Sequence, residues 1–371
     1  MALRKMKLIK VFSAILVVML ISTGSARAVV VEDLFSIEMA IADQTTSLRL
    51  DAFKQAFQQI IIKVSGSDDA LRSAGFKNPI ERSARYVKQF SYFNRNLPAD
   101  EEAEAEVLFI RVNFDQQLIE SLLIEHNFPV WGRERPSSLL VISYDVNENI
   151  KLVSDDTAPD MIELLAQAAD RYAVPVLFPL MDLEDISMVG IGDVVSRQFG
   201  KIESMALRYG PDALVVGQII GRSGEGWQGD WEVRFDDQIF KWNYKSSSKK
   251  AVVDQVIEHL ARVLALEYAL DSQRSSEQSL LISISSMEGI EKLISVQNYL
   301  KSLNVVDSVR VALITKGVVT YRLSLRNDAA DLQRLIELGD VLELEDFPQV
   351  NSGGEAQIIL NYSFIDRGAA N

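Results

Sequence analysis

Between Leu139 and Ile220 the chain alternates strand and helix patterns, and this alternation narrows the available folds more than any other feature. Leu139 to Tyr144 is apolar but for Ser143, as in a strand buried on both faces. A helix over Pro159 to Tyr172, a strand over Val174 to Pro179, a helix over Asp193 to Tyr209 and a strand over Ala213 to Ile220 follow. Strands separated by helices return to the same edge and lie parallel, so an α/β layer is expected at the centre of the chain. A hairpin extends it. With Asp236-Asp237 as a two-residue turn, Phe235 faces Gln238, Val233 faces Phe240 and Trp231 faces Trp242. Trp227, Trp231, Val233, Phe235, Phe240, Trp242 and Tyr244 then share one face. The other carries Asp230, Glu232, Arg234, Lys241 and Lys245, with Glu232 opposite Lys241. A helix over Lys249 to Leu270, with Val253, Val256, Leu260, Val263 and Leu264 on one stripe, is placed to cover the aromatic face. Core is the simpler reading of the Trp227/Trp231/Trp242 face, and a platform for a glycan or peptide is the alternative.

The flanking segments read as smaller modules. Phe35, Ile37, Met39 and Ile41 alternate with polar or small residues, a strand with one buried face. Leu50, Phe53, Phe57, Ile60, Ile61 and Val64 follow at helical spacing until Ser65-Gly66-Ser67. A second helical stretch is expected around Asn78 to Gln89, and an acidic loop over Pro98 to Glu106. A strand over Leu108 to Phe114 and a helix capped by Asp115 complete an α+β domain over 29–135. Pro129 to Pro136, with Trp131, Arg133 and Arg135, marks a boundary to the α/β domain over 136–271. A polar linker over 272–278 leads to strand, helix, hairpin around Lys316-Gly317, helix and strand, the βαββαβ order of a ferredoxin-like domain over 279–371. Its last strand is either Val341 to Leu344 or Ile358 to Phe364. The fold class is thus mixed α+β and α/β, in several domains.

Composition removes several chemistries. No cysteine occurs, so there is no disulfide, thiolate nucleophile or cysteine-ligated metal, and two histidines cannot build a three-histidine zinc site. A net charge of −14 argues against a nucleic-acid partner. Arg4, Lys5, Lys7 and Lys10 precede a run from Val11 to Ile21 that is apolar but for Ser13, and then the mostly small residues up to Ala28, the pattern of a signal peptide cleaved after Ala28. That run is short of the roughly 20 residues needed to span a bilayer. Export to the periplasm is expected, with no transmembrane segment in the mature chain and, lacking a lipidated cysteine, no lipid anchor. Cleavage removes five basic residues and no acid, taking the net charge to −19.

The polar candidates are few. Asp182, Glu184 and Asp185 follow the second strand of the α/β layer, where ligands gather at strand ends, and Asp182 with Asp185 form a candidate acid/base pair. Their plainer role is helix capping. Arg133 and Arg135 beside Trp131 form a candidate anion clamp or, alternatively, a structural turn at the domain boundary. Gly190-Ile191-Gly192-Asp193 opens a helix but lacks the third glycine of a dinucleotide fingerprint. His126 and His259 lie in no metalloprotease pattern, and Ser65 and Ser67 lack a nucleophile elbow. No cofactor and no metal are expected.

Ala42-Asp43-Gln44 through Val64-Ser65-Gly66, Pro129-Val130-Trp131-Gly132 with Arg135-Pro136, Pro179 to Asp185, and Arg208-Tyr209-Gly210-Pro211-Asp212-Ala213 to Gly217 with Gly226-Trp227-Gln228-Gly229 resemble the proteobacterial family called domain of unknown function 2066, over about residues 30–260. The resemblance implies an exported protein of Gram-negative bacteria and brings no activity. At fold level, Arg208 to Gly217 with the tryptophan hairpin and long helix is similar to periplasmic accessory domains of the Tol–Pal and penicillin-binding-protein-activator kind, which mediate protein contacts. The expectation is a non-catalytic protein-interaction or assembly module with envelope proteins as partners. A carboxylate enzyme using Asp182 and Asp185, or a small-molecule or glycan sensor, are the alternatives.

Overall fold

The structure is a computed structural model that describes residues 29–31, 33–100, 103–269, 278–351 and 357–365. The leader lies outside the described residues, as does nearly all of the expected linker. In the N-terminal module the elements are β1 (Val29–Val30), β2 (Ser36–Ala40), α1 (Thr46–Ser65), β3 (Val87–Asp100), β4 (Ala103–Phe114), α2 (Gln116–Glu125) and β5 (Glu134–Arg135). Strands β2, β4 and β3 form an antiparallel sheet in that order. The stripe Phe53, Phe57, Ile60, Ile61 and Val64 of α1 is buried against Ile37, Ile110 and Val112 on one face of this sheet. Gly66 ends α1 at φ +71°, a left-handed cap that glycine adopts without a Cβ penalty.

Two expectations fail here. Only Lys77–Glu81 is helical in the expected second helix. A 3₁₀ turn over Ser83–Tyr86 follows, and Val87 already begins β3. In the segment read as an acidic loop, the described residues on either side of 101–102 belong to paired strands, with Pro98 opposite Glu104. Cross-strand pairing along β4 overrides local pattern, and Phe90 of β3 packs edge-on to Phe53 with ring centroids 5.4 Å apart.

The middle domain contains β6 (Ser138–Val146), β7 (Asn149–Leu152), α3 (Pro159–Tyr172), β8 (Val176–Leu177), α4 (Leu183–Met188), α5 (Ile191–Val195), α6 (Phe199–Ala206), β9 (Ala213–Arg222), β10 (Gly226–Phe235), β11 (Gln238–Ser246) and α7 (Lys249–Tyr268). The sheet order is β11–β10–β9–β6–β7, with β8 also paired to β6. Strands β6, β8 and β9 are parallel, as the alternation requires. Leu140, Ile142, Val215 and Ile219 pack on α3 and α7, while Leu139, Val141, Leu214 and Val216 pack on the α5–α6 side. The expected helix over 193–209 is two short helices, broken at Arg197 where φ is +53°.

The hairpin register is the expected one: Phe235 opposite Gln238, Val233 opposite Phe240, Trp231 opposite Trp242 and Glu232 opposite Lys241. The Glu232–Lys241 ion pair forms at 2.9 Å. Trp231 is completely buried under α7, and Trp227 and Trp242 are half-buried against the same core. The aromatic face is therefore core. Trp231 lies across Gly217 of β9, where a Cβ would come within 2.0 Å of its ring.

The C-terminal domain contains β12 (Gln278–Ser285), α8 (Ile290–Ser302), β13 (Val306–Thr315), β14 (Val318–Leu325), α9 (Ala329–Leu338), β15 (Leu342–Asn351) and β16 (Gln357–Phe364). Both candidates for the last strand are strands. The order β13–β14–β12–β16–β15 is a plait with one strand added: β16 returns between β12 and β15 and lies parallel to β12. Buried residues of this domain and of the N-terminal module form one continuous core. No helix among the described residues is long and apolar enough to cross a membrane.

Gly217→Ala forces a methyl into the Trp231 ring and is expected to cost roughly 1–3 kcal/mol, measured by chemical denaturation.

Candidate functional site

The acidic segment is a closed clamp. Asp182 caps α4, its Oδ1 accepting from the backbone N–H of Glu184 (3.1 Å) and Asp185 (3.0 Å). Arg208, just beyond α6, donates through Nη1 and Nη2 to the two oxygens of Asp182, each at 2.9 Å. Its Nη1 also reaches Asp185, and its Nε stands 3.4 Å from Glu184. Asp185 is fully buried, and its Oδ2 accepts from the Met181 N–H at 2.9 Å and from the Tyr209 hydroxyl. That hydroxyl in turn accepts from the Leu180 N–H at 2.8 Å. The hydrogen bond from Arg208 holds the Asp182 carboxyl down at about 2. Burial, with the Asp185 hydrogen bond second, pushes the Tyr209 phenol up to about 12. Every carboxylate oxygen of Asp182 and Asp185 is occupied by a protein donor, so the pair fixes the loop. Arg208 and Tyr209 were not legible as partners, because they lie 23 to 29 residues away along the chain.

Apolar side chains surround this clamp. Leu183 is 89% exposed and Leu207 81%, with Leu180 and Ile186 also well exposed. Leu183 and Ile186 lie one turn apart on α4, and Leu207 precedes the clamping arginine.

The second candidate group sits at the meeting of three domains. Arg135 is completely buried and donates to backbone carbonyls alone: Nε to Gly132 (2.9 Å), Nη1 to Tyr172 (2.8 Å) and Ala173 (3.0 Å), Nη2 to Lys63 (2.7 Å) and Trp131 (3.2 Å). Its guanidinium stacks 4.0 Å from the Trp131 ring centre. Lys63 and Tyr172 lie in the last turns of α1 and α3, whose carbonyls have no partner within the helix and whose dipoles favour a cation. Burial lowers the Arg135 pKa to about 9. Trp131 is also buried, and its backbone N–H donates to the Val64 carbonyl at 2.7 Å. Arg135 and Trp131 therefore have no face left for an external anion, and of the expected clamp only Arg133 borders an open pocket. Glu134 is buried beside them with Oε2 unpartnered, and desolvation raises its carboxyl to about 7.

The remaining candidates are internally engaged. The Gly190 N–H donates to Asp193, which also pairs with Lys201 at 2.7 Å, so a carboxylate of the chain already occupies that turn. His126 packs on Phe76 and His259 on Trp242. Ser65 donates to backbone carbonyls. Among the described residues no group of three or more His, Asp or Glu is placed to hold a metal ion.

Residues 28–132 match the family model of a domain of unknown function (DUF8605). The match ends at the domain junction and bears a different designation from the 2066 family. No curated protein matches the chain. Among solved structures, the chain is similar to a competence-damaged protein (CinA) superfamily member from Klebsiella pneumoniae, at 15% identity and a TM-score of 0.20, covering 39% of this chain and 89% of that one. It is also similar to prolyl-tRNA synthetase from Cryptosporidium parvum, at 8% identity and a TM-score of 0.19, covering 63% of this chain and 51% of that one. Likenesses at these scores carry no functional argument.

Asp185→Asn removes the charge that Arg208 and Tyr209 converge on and is expected to cost roughly 1–3 kcal/mol in denaturant unfolding. Asp182, held ionised to about pH 2, stabilises the fold fully above its ordinary value of 3.8, and this is lost as pH falls toward 2. Glu134 acts with the opposite sign. Between its ordinary 4.5 and about 7 the unfolded chain loses a proton that the folded chain keeps, so stability falls with rising pH. Glu134→Gln is expected to flatten that slope by up to about 1.4 kcal/mol per pH unit across this window, read from unfolding midpoints at pH 5, 6 and 7.

Proposed function

We propose that this protein is an exported, non-catalytic protein-interaction module of the Gram-negative cell envelope, and that the clamp surface of its middle domain is the contact. The observation that carries this reading is the cluster of exposed apolar side chains, Leu180, Leu183, Ile186 and Leu207, around a clamp that fixes their backbone. Apolar groups held in a fixed arrangement on a surface are what a protein partner buries. Export is supported by the basic, apolar and small-residue pattern of residues 1–28, with cleavage after Ala28 and residence in the periplasm. The sequence resemblance to the 2066 family over about 30–260, and to periplasmic accessory domains, supports the same reading. A mature chain of net charge −19 is repelled by anionic membrane, which favours a protein partner over lipid.

The test is crosslinking and pull-down from intact envelopes with a Leu183→Asp/Leu207→Asp variant. Both side chains are exposed, so the unfolding midpoint stays within error of wild type while the captured partners are lost. An unchanged partner set contradicts the proposal.

A further inference from the structure

The open face of the N-terminal sheet carries a pocket of about 250 Å³ bordered by Asp33, Ser36, Lys88, Gln89, Asn113 and Arg133. Register builds its floor: Ser36 on β2 and Gln89 on β3 both lie opposite Asn113 on β4, so one hydroxyl and two amides stand in a row across three strands. Arg133 enters from the domain junction, its guanidinium 6.0 Å from the ring centre of Phe35. Its Nε is buried with no hydrogen-bond partner.

The charge pattern is out of keeping with the rest of the chain. There are 52 acidic and 38 basic side chains, so carboxylates are in excess. On the same sheet Arg95 and Arg111 converge on Glu38, at 2.6 and 2.5 Å. Among the described residues neither Lys88 nor Arg133 forms an ion pair, although both border one pocket. Among the described residues that border it, the one acid is Asp33, which is exposed and pairs with neither. Lys88 and the planar guanidinium of Arg133, whose charge also acts on the neighbouring Glu134 carboxyl, stand beside neutral donors and match the oxygen-rich head of a small anion. The volume is below the usual range for drug-sized ligands and suits a small molecule.

We propose that this pocket binds a small oxyanion, a phosphate or carboxylate group, held by Arg133 and Lys88 and oriented by Ser36, Gln89 and Asn113. The proposal is independent of the protein-contact surface on the middle domain.

The test is calorimetric titration of the full chain with inorganic phosphate and, separately, with succinate, at ionic strength fixed by sodium chloride. Saturable one-site binding of either probe is expected, and the probe that binds identifies the class. Lys88→Gln, an exposed position, and Arg133→Gln each weaken it roughly tenfold or more. Ser36→Asp, which places a carboxylate in the pocket, abolishes it. The proposal is overturned if neither probe binds saturably, or if Lys88→Gln and Ser36→Asp bind as the wild type does.

Discussion

The guanidinium of Arg135 pairs with no carboxylate and has no contact with water, yet each of its donor nitrogens reaches one or more backbone carbonyls. Desolvating a cation is expensive, and the expense is met by two helix C-termini, from α1 of the N-terminal module and α3 of the middle domain, and by the face of Trp131. The arrangement is reciprocal. The helix ends carry carbonyls with no partner inside their helices, and the arginine needs acceptors more than it needs a single counter-ion. Neither helix can move from the other without stranding both the charge and the acceptors.

The neighbouring contacts extend the same junction to the third domain. The Asn304 side chain donates to the Val130 carbonyl at 2.8 Å, and Arg326 of the C-terminal domain pairs with Glu120 of α2 at 3.1 Å. Beneath them the N-terminal and C-terminal domains share one apolar core. Short polar contacts around residues 130–135 thus fix how three sheets are presented. The clamp at Asp182 and Asp185 is a smaller version of the same device: Arg208 converts an acidic loop into a rigid rim for the apolar side chains around it.

What could be read from the sequence follows from the range of each interaction. The β10–β11 register was legible because alternation with period two and an Asp-Asp turn are local, and a slip of one residue would expose Trp231. The central α/β layer was legible from the order of its elements. The strand at Val87 was not, because it is set by pairing with β4 and not by its own spacing. Asp182 was legible as a cap. Its clamp by Arg208, 26 residues on, was not. The role of Arg135 was the least accessible. Its distant acceptors are carbonyls 37, 38 and 72 residues away, and a carbonyl leaves no mark on the sequence. The same limit hid the place of Arg133 at a pocket shared with Lys88.

The most direct measurement is denaturant unfolding of Arg135→Met, followed by tryptophan fluorescence and by amide exchange at the last turns of α1 and α3. If the guanidinium ties the two helices together, the variant loses at least about 3 kcal/mol and both turns lose protection together, because several buried carbonyls are left unpaired at once. A loss below about 1 kcal/mol, with protection at both turns as in the wild type, would contradict the account.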